Sequence, residues 1–570
     1  MGESLDEDTH SLSDVDTEQY KPLQLTKDDE IPIGRSRTNV LILLGIKDDI
    51  TQDLQEPYTS RGDLEERLIN ELETISNKTS FQDQNITNLN DPEVESDYND
   101  LKYPPKDKGI AWIMAICACL AIFSTWGSNA SYGVFLNYYM ANETFANASK
   151  YDYALIGGLV MFCAQFLAPI AALAYKIVGF RLMMAVGVIL QTLGYILASF
   201  STKLWQIYLT QGLLIGVSFV CIFIPATLIL PGYFDKYLST AMGICVAGSG
   251  LGGLVFSLSL NAVIEKSGNQ KWGLRMVGIV TLVTALIPAV IMKPRIDTKS
   301  PIKQTLKLKF ISDNFKVIFN FKVFKSYPLL LITFWFALTL LGYTIMLFSM
   351  ASYARSVGLT PQQGSTLTSV MNAAQIVGRP CMGLIADSIG RNNLSTLVSA
   401  SITILIFAFW INAKAFGSLV GYVVLIGLII GVGSTMAQSM ASDVLFDQVD
   451  LPAAWSGMNL LVGISTLVAE VIALSLVNNS ISTPYLYAQI FTGSCFFVCL
   501  CLLLVVREYL VRRKFKQRLA LAESTVVDSA DSKEALDEMT ILQQRVDRYN
   551  FLLRRNLWAF VIRMFYPVRV

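Results

Sequence analysis

The chain has 570 residues, of which 53% are hydrophobic and 16% are charged, and its 45 basic and 45 acidic residues balance to a formal net charge of zero. This composition excludes a soluble protein of ordinary polarity and indicates a lipid environment. Apolar runs recur between residues 110 and 506, and each is long enough to cross a bilayer as a helix. Barrel strands would be shorter and would alternate in polarity, so we predict an all-α membrane protein.

The chain begins with an acidic segment, residues 1–106, that we predict to be a disordered cytoplasmic tail. Residues 1–100 contain 25 acidic and 8 basic residues, which gives no indication of a nucleic-acid partner. The segment has no basic start leading into an apolar core, so we expect no cleavable signal.

Twelve spans follow, in two groups of six. A basic linker, residues 293–326, divides an N-terminal half (107–292) from a C-terminal half (327–506), and residues 507–570 form a second tail that ends in a candidate interfacial helix. The predicted spans are 110–139, 153–175, 182–200, 204–230, 239–264, 273–292, 327–353, 363–386, 394–412, 418–441, 455–477 and 486–506.

The linker also predicts the orientation. It holds nine basic and two acidic residues, and basic loops next to the membrane remain cytoplasmic, so we expect both termini inside. Glycosylation triplets at Asn142, Asn147 and Asn478 then lie outside. We favour the plasma membrane over the vacuolar membrane.

The residue inventory argues against an enzyme. His10 in the acidic tail is the one histidine of the chain, and all nine cysteines lie inside apolar runs. We find no catalytic set, metal site or cofactor motif in the spans.

The segment YFDKYLSTAMGICVAGSGLGG, residues 233–253, is unusually rich in small residues. Small residues at helical spacing let two membrane helices approach backbone to backbone. We therefore predict close helix packing through Gly243, Ala247, Gly248 and Gly252. Such packing can be static or can form a contact that moves.

This segment resembles the fifth-span signature of the monocarboxylate-transporter family, within the major facilitator superfamily. The matching residues are Tyr233, Phe234, Lys236, Ala241, Gly243, Ala247, Gly248 and Gly252. The opening DKGIAWIM is similar to the first span of the family at Asp107, Gly109 and Trp112, and GRPCMGLIADSIGRNN (378–393) is similar to its eighth span and the loop that follows. The resemblance covers about residues 107–506.

The resemblance implies the major facilitator fold and a secondary transporter that works by alternating access, with a small-molecule solute, the lipid bilayer and candidate coupling protons as partners. It also implies that four turn charges latch the cytoplasmic side in one state. These gate residues are Asp235, Lys236, Asp387 and Arg391.

Charged and polar side chains within the spans are the candidates for the solute site, because charge in a membrane is costly and usually functional. Arg379 can hold an anion, as the family uses an arginine here. The alternatives are a structural ion pair and a side chain that snorkels to the inner surface. Glu470 is a partner for Arg379, a proton carrier or a neutral hydrogen-bonding group. The remaining candidates for solute binding or coupling are Gln375, Asn372, Asn129 and Tyr343.

Two departures from the family pattern affect the choice of solute. Proton-coupled members carry Asp four residues before the eighth-span arginine, where this chain has Gln375, and they carry a first-span lysine that is missing here. The expected solute is a monocarboxylate-like anion or another small metabolite. A riboflavin-type carrier and a non-transporting membrane sensor are the alternatives, and an accessory subunit is left open.

Overall fold

A computed structural model describes residues 104–145, 148–295, 309, 312, 315–316, 318–445, 450–478, 481, 483–530 and 536–570. The acidic tail up to residue 103 and most of the basic linker lie outside these residues, so the predictions made for them remain predictions.

The described chain is helical throughout its membrane region. Besides the short 3-10 helix Phe321–Lys325, the described residues form fourteen helices: α1 Ile110–Met140, α2 as the bent pair Tyr151–Phe166 and Ala168–Val178, α3 Phe180–Ala198, α4 Leu204–Tyr233, α5 Leu238–Ser267, α6 Gln270–Ile291, α7 Tyr327–Ser356, α8 Pro361–Ile389, α9 Arg391–Trp410, α10 Phe416–Val444, α11 Leu451–Ser475, α12 Leu486–Ala530, α13 Leu536–Leu553 and α14 Leu557–Phe565.

Among the described residues, ten helices are long and apolar enough to span a membrane, or eleven when the bent pair of α2 counts as one. The remaining helix of the predicted twelve is α8, which has 29 residues but carries Asn372, Gln375 and Arg379 along its length. These polar side chains lower the mean hydropathy of α8 below that of the other spans. The all-α membrane architecture predicted from the sequence is confirmed.

Two departures from the predicted spans have local causes. The second span bends by 51° at Leu167, where Pro169 near the start of the following segment has no N–H to continue the ladder. The last helix, α12, extends far beyond residue 506. Its polar extension is supported by helix-forming residues and by an i,i+4 pair between Arg512 Nε and Glu508 Oε1 at 2.6 Å.

The same tight turn recurs in both halves. Gly179 joins α2 to α3 with a φ of 81°, and Gly390 joins α8 to α9 with a φ of 102°. Glycine is favoured at both positions because left-handed φ values are strained for other residues. The corresponding turns agree with two structurally repeated halves.

The halves, α1–α6 and α7–α12, meet along two helix pairs, α5 with α8 and α2 with α11. In the second pair, a Cβ on Gly463 of α11 would lie 2.8 Å from the backbone nitrogen of Phe166 in α2, so the two backbones approach closely. Helices α3, α6, α9 and α12 lie at the periphery. They expose apolar side chains where lipid is expected, including Leu182, Ile189, Ile279, Val283, Leu397, Ile404, Phe497 and Val505.

Candidate functional site

A cavity of about 870 Å³ lies between the two halves. Its walls come from α1, α2, α4 and α5 of one half and from α7, α8, α10 and α11 of the other. This volume includes space that is open to solvent. Most of the wall is apolar, and its aromatic members are Trp126, Phe223, Phe336, Tyr343, Phe348 and Trp455.

Arg379 is the charged member among the described lining residues. It is 3% exposed and donates from Nη1 to the Val246 carbonyl and Ser249 Oγ, both on α5. No carboxylate of the described chain lies within ion-pair distance of it, and its Nε has no partner there. Gly431 on α10 leaves the space that the side chain occupies, since a Cβ there would lie 2.5 Å from Nε. The guanidinium therefore joins the two halves and lies at the cavity wall without a counterion among the described side chains.

Gln375 orients this guanidinium. Its Oε1 accepts from Arg379 Nη2 at 2.5 Å and from Tyr343 Oη at 3.3 Å, and its Nε2 donates to Asn372 Oδ1 at 3.3 Å. Asn372 Nδ2 is buried without a partner among the described residues. Four sequence-predicted residues thus form one hydrogen-bonded chain on α7 and α8, of which Arg379 and Tyr343 reach the cavity wall.

Asn129 on α1 also lines the cavity, as predicted. Glu470 belongs to α11, but its side chain lies outside the described part of the structure, and its role stays a prediction.

Sequence reasoning missed two amides on the α2–α11 side, Gln165 and Asn459. Both line the cavity, and both are at least 98% buried. Gln165 Nε2 and Asn459 Oδ1 lack hydrogen-bond partners among the described residues. A polar residue within an apolar run is the signal that identifies both amides, as it does for Asn129, Asn372 and Gln375 on α1 and α8.

The end of the bundle that holds the α4–α5 and α8–α9 turns, here called the gate end, is joined across the halves. Asp387 accepts from the backbone N–H groups of Ser239 at 3.2 Å and Thr240 at 2.8 Å. Arg391 Nε donates to Ser239 Oγ at 2.8 Å, and its Nη1 lies 2.5 Å from Asp443 Oδ1. The carboxylate of one half therefore caps the first turn of α5 in the other half.

The other two predicted gate charges lie within the N-terminal half. Asp235 Oδ2 is 3.7 Å from Lys106 Nζ, and both side chains are partly exposed. Lys236 Nζ lies 5.3 Å from the centre of the Tyr237 ring. The turn itself is fixed by Asp107, whose carboxylate accepts from the backbone N–H groups of residues 235–237.

A second cavity extends from the first toward the opposite end of the bundle, here called the far end. The two share Ala130, Leu347 and Phe348 in their walls. Further out, the wall comes from the C-terminal ends of α1, α7 and α11 and the start of α8. The halves are thus joined at the gate end and separated by a cavity at the far end.

The small residues of α5 serve two different contacts. Gly248 and Gly252 face α1 of the same half, where a Cβ on Gly252 would lie 2.6 Å from Gly127 Cα. Gly243 faces the backbone of α8 in the other half, at Arg379 and Pro380. Ala247, which lies between Gly243 and Gly248 in the sequence, is also buried. The predicted close packing is present, and its two faces contact different halves.

The glycosylation candidates differ in accessibility. Asn142 is exposed and its Nδ2 donates to the Tyr138 carbonyl at 2.9 Å, whereas Asn478 is half-buried. Asn147 lies outside the described residues.

The family model of the Major Facilitator Superfamily matches this chain over residues 114–445 and 336–567. The chain is similar to the "Uncharacterized transporter ESBP6" of Saccharomyces cerevisiae, with 38% identity over 521 residues that cover 88% of this chain and 76% of the relative. It is 32% identical to the "Probable transporter MCH2" of the same yeast over 453 residues, covering 79% of this chain and 92% of the relative. The "Aspyridones efflux protein apdF" of Emericella nidulans is 29% identical over 321 residues, covering 56% and 62%.

Proposed function

Since the chain belongs to the major facilitator superfamily, and so is a non-enzymatic multi-pass membrane transporter of a small-molecule solute, we propose that it moves a small organic anion with a planar or apolar body by alternating access. One observation carries this proposal: a buried guanidinium without a carboxylate partner among the described residues, in a mostly apolar wall.

The charge argument concerns Arg379. A charge buried without a counterion costs several kcal/mol, and a carboxylate that accepts two parallel hydrogen bonds offsets that cost. Ser249 and the Val246 carbonyl now occupy Nη1. A solute carboxylate would displace these neutral acceptors and so weaken a contact between α5 and α8.

The rest of the wall suits the body of such a solute. The Phe336 and Trp455 rings stack at 5.7 Å between centroids, and planar groups stack favourably on aromatic faces. Gln165 Nε2 and Asn459 Oδ1 offer a donor and an acceptor on the side opposite α8. Together these groups favour an anion with a second polar group over a very small monocarboxylate.

We also assign the chain to the monocarboxylate-transporter-like branch of the superfamily. The α5 and α8 signature residues support this assignment, as does the similarity to the probable transporter MCH2. Gln375 replaces the carboxyl that the resembled proton-coupled members carry, and an amide does not exchange protons near neutral pH. Glu470 is the remaining candidate for a proton carrier.

Alternating access would proceed through the two helix pairs that join the halves. Opening the gate end requires Asp387 to leave the first turn of α5 and Arg391 to leave Ser239, while the far end closes around the solute. With both termini cytoplasmic, the described arrangement accepts solute from outside. Glycosylation at the exposed Asn142 tests that orientation, and we propose the plasma membrane as the location.

Uptake of a metabolite panel into proteoliposomes, at two pH values and in both directions, tests the proposal. We expect an organic anion to be carried, and we expect Arg379→Ala to abolish its flux while membrane insertion is retained. Arg275→Ala is the matched control, because Arg275 lies near the surface against Phe200 and Trp272. Normal flux in Arg379→Ala, with a neutral planar solute carried instead, would favour the riboflavin-type alternative. Ligand binding without flux would favour a sensor.

A further inference from the structure

The last helix, α14, exposes an apolar face. Leu557, Trp558 and Phe565 are 80%, 64% and 84% exposed, and contiguous exposed apolar surface marks a site of contact with a membrane or another protein. At helical spacing these residues share one side with Val561, and the buried Ala559 and Arg563 lie on the opposite side.

The buried side of α14 is fixed to α12. Arg563 is fully buried. Its guanidinium donates to Glu508 Oε1 twice, from Nη2 at 2.7 Å and from Nε at 3.0 Å. Arg507 Nη1 in turn donates to the Arg563 carbonyl at 2.8 Å. Rotating α14 to bury its apolar face would break this ion pair and leave buried charges unpaired. The apolar face is therefore held outward.

The ion pair also sets the position of α14 relative to the membrane. The run of large apolar side chains exposed on α12 between Tyr487 and Val505 stops there, and the next one, Leu521, lies sixteen residues further along. Glu508 follows Val505 by three residues, about 4.5 Å along the helix axis. Because Arg563 is bound to Glu508, α14 lies at the level where α12 leaves the hydrocarbon region. This is the depth at which amphipathic helices and tryptophan side chains bind membranes.

We propose that α14 is an interfacial helix that inserts its apolar face into the leaflet where α12 ends, and that Arg554 and Arg555 bind anionic phospholipid headgroups there. Both arginines are exposed at the start of α14, so the helix combines an apolar face with local positive charge. Anionic headgroups complement that charge. The inference does not depend on the transported solute.

Spin labelling of the full chain in nanodiscs tests the insertion. Trp558→Cys carries the label in a background without the exposed native Cys381 and Cys501, and Lys516→Cys, at an exposed position on the polar part of α12, is the matched control. We expect the label at 558 to collide rarely with a water-soluble nickel complex and often with oxygen. The label at 516 should show the reverse. A label at Phe565→Cys repeats the measurement if the first variant folds poorly. High nickel accessibility at both 558 and 565 would overturn the proposal and favour a protein partner for this face.

The lipid preference is tested separately. Spin-labelled phosphatidylserine and phosphatidylcholine are compared for binding to the wild type and to Arg554→Gln/Arg555→Gln, with Arg355→Gln as a control distant from α14 in sequence. We expect the preference for phosphatidylserine to fall about fivefold for each arginine removed. An unchanged preference would overturn the headgroup assignment.

Discussion

The Asp387 carboxylate accepts two hydrogen bonds from Thr240, one from the backbone N–H at 2.8 Å and one from Oγ1 at 2.7 Å, across the boundary between the halves. The first turn of a helix has N–H groups without intrahelical partners and a positive dipole end, and both favour a carboxylate. The N-cap of α5 is Tyr237, which makes no side-chain cap. The cap is supplied by the other half, so it exists only while the two halves are in contact at this end.

Asp387→Asn should shift the protein toward opening at the gate end. The substitution keeps an acceptor but removes the charge, and the charge-assisted hydrogen bonds contribute about 1.5–3 kcal/mol. We expect a cysteine at Ser439, which is fully buried beside this contact, to react with maleimide about tenfold faster or more. The measurement uses purified protein without Cys381 and Cys501.

Asp235→Asn is the control for this experiment, because Asp235 pairs with Lys106 at a partly exposed site within one half. Such pairs contribute little, so labelling at residue 439 should stay near the reference rate. Equal rates in both variants would contradict the role assigned to Asp387.

Gly248→Ala should destabilise the N-terminal half. The added Cβ would overlap the Cys119 carbonyl, and Phe123 N would lie 2.9 Å from it, so overpacking should cost about 1–3 kcal/mol. A lower midpoint of thermal unfolding in detergent is the expected result. Gly133→Ala is the matched control, since no atom lies within 4 Å of a Cβ there, and its midpoint should not fall.

Gly243→Ala separates a static contact from a moving one. Its Cβ would meet α8 at Pro380, in the other half, and the halves can relieve that overlap by moving apart. We expect faster labelling at Ser439→Cys with a smaller loss of thermal stability than Gly248→Ala causes. Equal loss of stability without faster labelling would assign Gly243 to static packing.

Sequence patterns predicted the spans because bilayer thickness fixes helix length. They did not predict the polar continuation of α12 beyond Val506, because hydropathy reports the membrane and carries no information on where a helix ends in water. Turn charges predicted a latch at the gate end, and Asp387 and Arg391 do join the halves. The form of the contact, a cap donated across the interface, depends on how the halves are positioned.

The candidate site was predictable only in part for the same reason. Arg379 was identified because charge within a span is rare, and its i,i+4 neighbour Gln375 followed from helical spacing. The contact with Ser249 on α5 joins residues 130 positions apart. It depends on the approach of two helices, which local sequence does not specify.

Removal of residues 566–570 should loosen the start of α9. The Val570 carbonyl accepts from the backbone N–H groups of Asn392 at 2.9 Å and Asn393 at 3.2 Å, and the Val568 carbonyl accepts from Asn393 Nδ2 at 2.6 Å. Losing these bonds, at about 1 kcal/mol each, should speed hydrogen exchange in the first turn of α9 at least fivefold. Mass spectrometry measures the exchange, and Pro567→Ala, at an exposed position, should leave it unchanged. Equal exchange in the truncated and full chains would exclude this contact in solution.

Gln375→Asp should make transport of an organic anion depend on pH. The carboxylate would pair with the Arg379 guanidinium, whose Nη2 now lies 2.5 Å from Gln375 Oε1, and would compete with the solute. An anion could bind at Arg379 only after the new carboxyl is protonated, so uptake should rise as pH falls. At neutral pH the apparent KM should rise about tenfold, the equivalent of one charge-assisted hydrogen bond.

Gln375→Asn shortens the side chain in the same way without adding a titrating group, so proteoliposome uptake by that variant should keep the wild-type pH profile. Parallel profiles for the two variants would show that Gln375 does not control the charge that the solute meets.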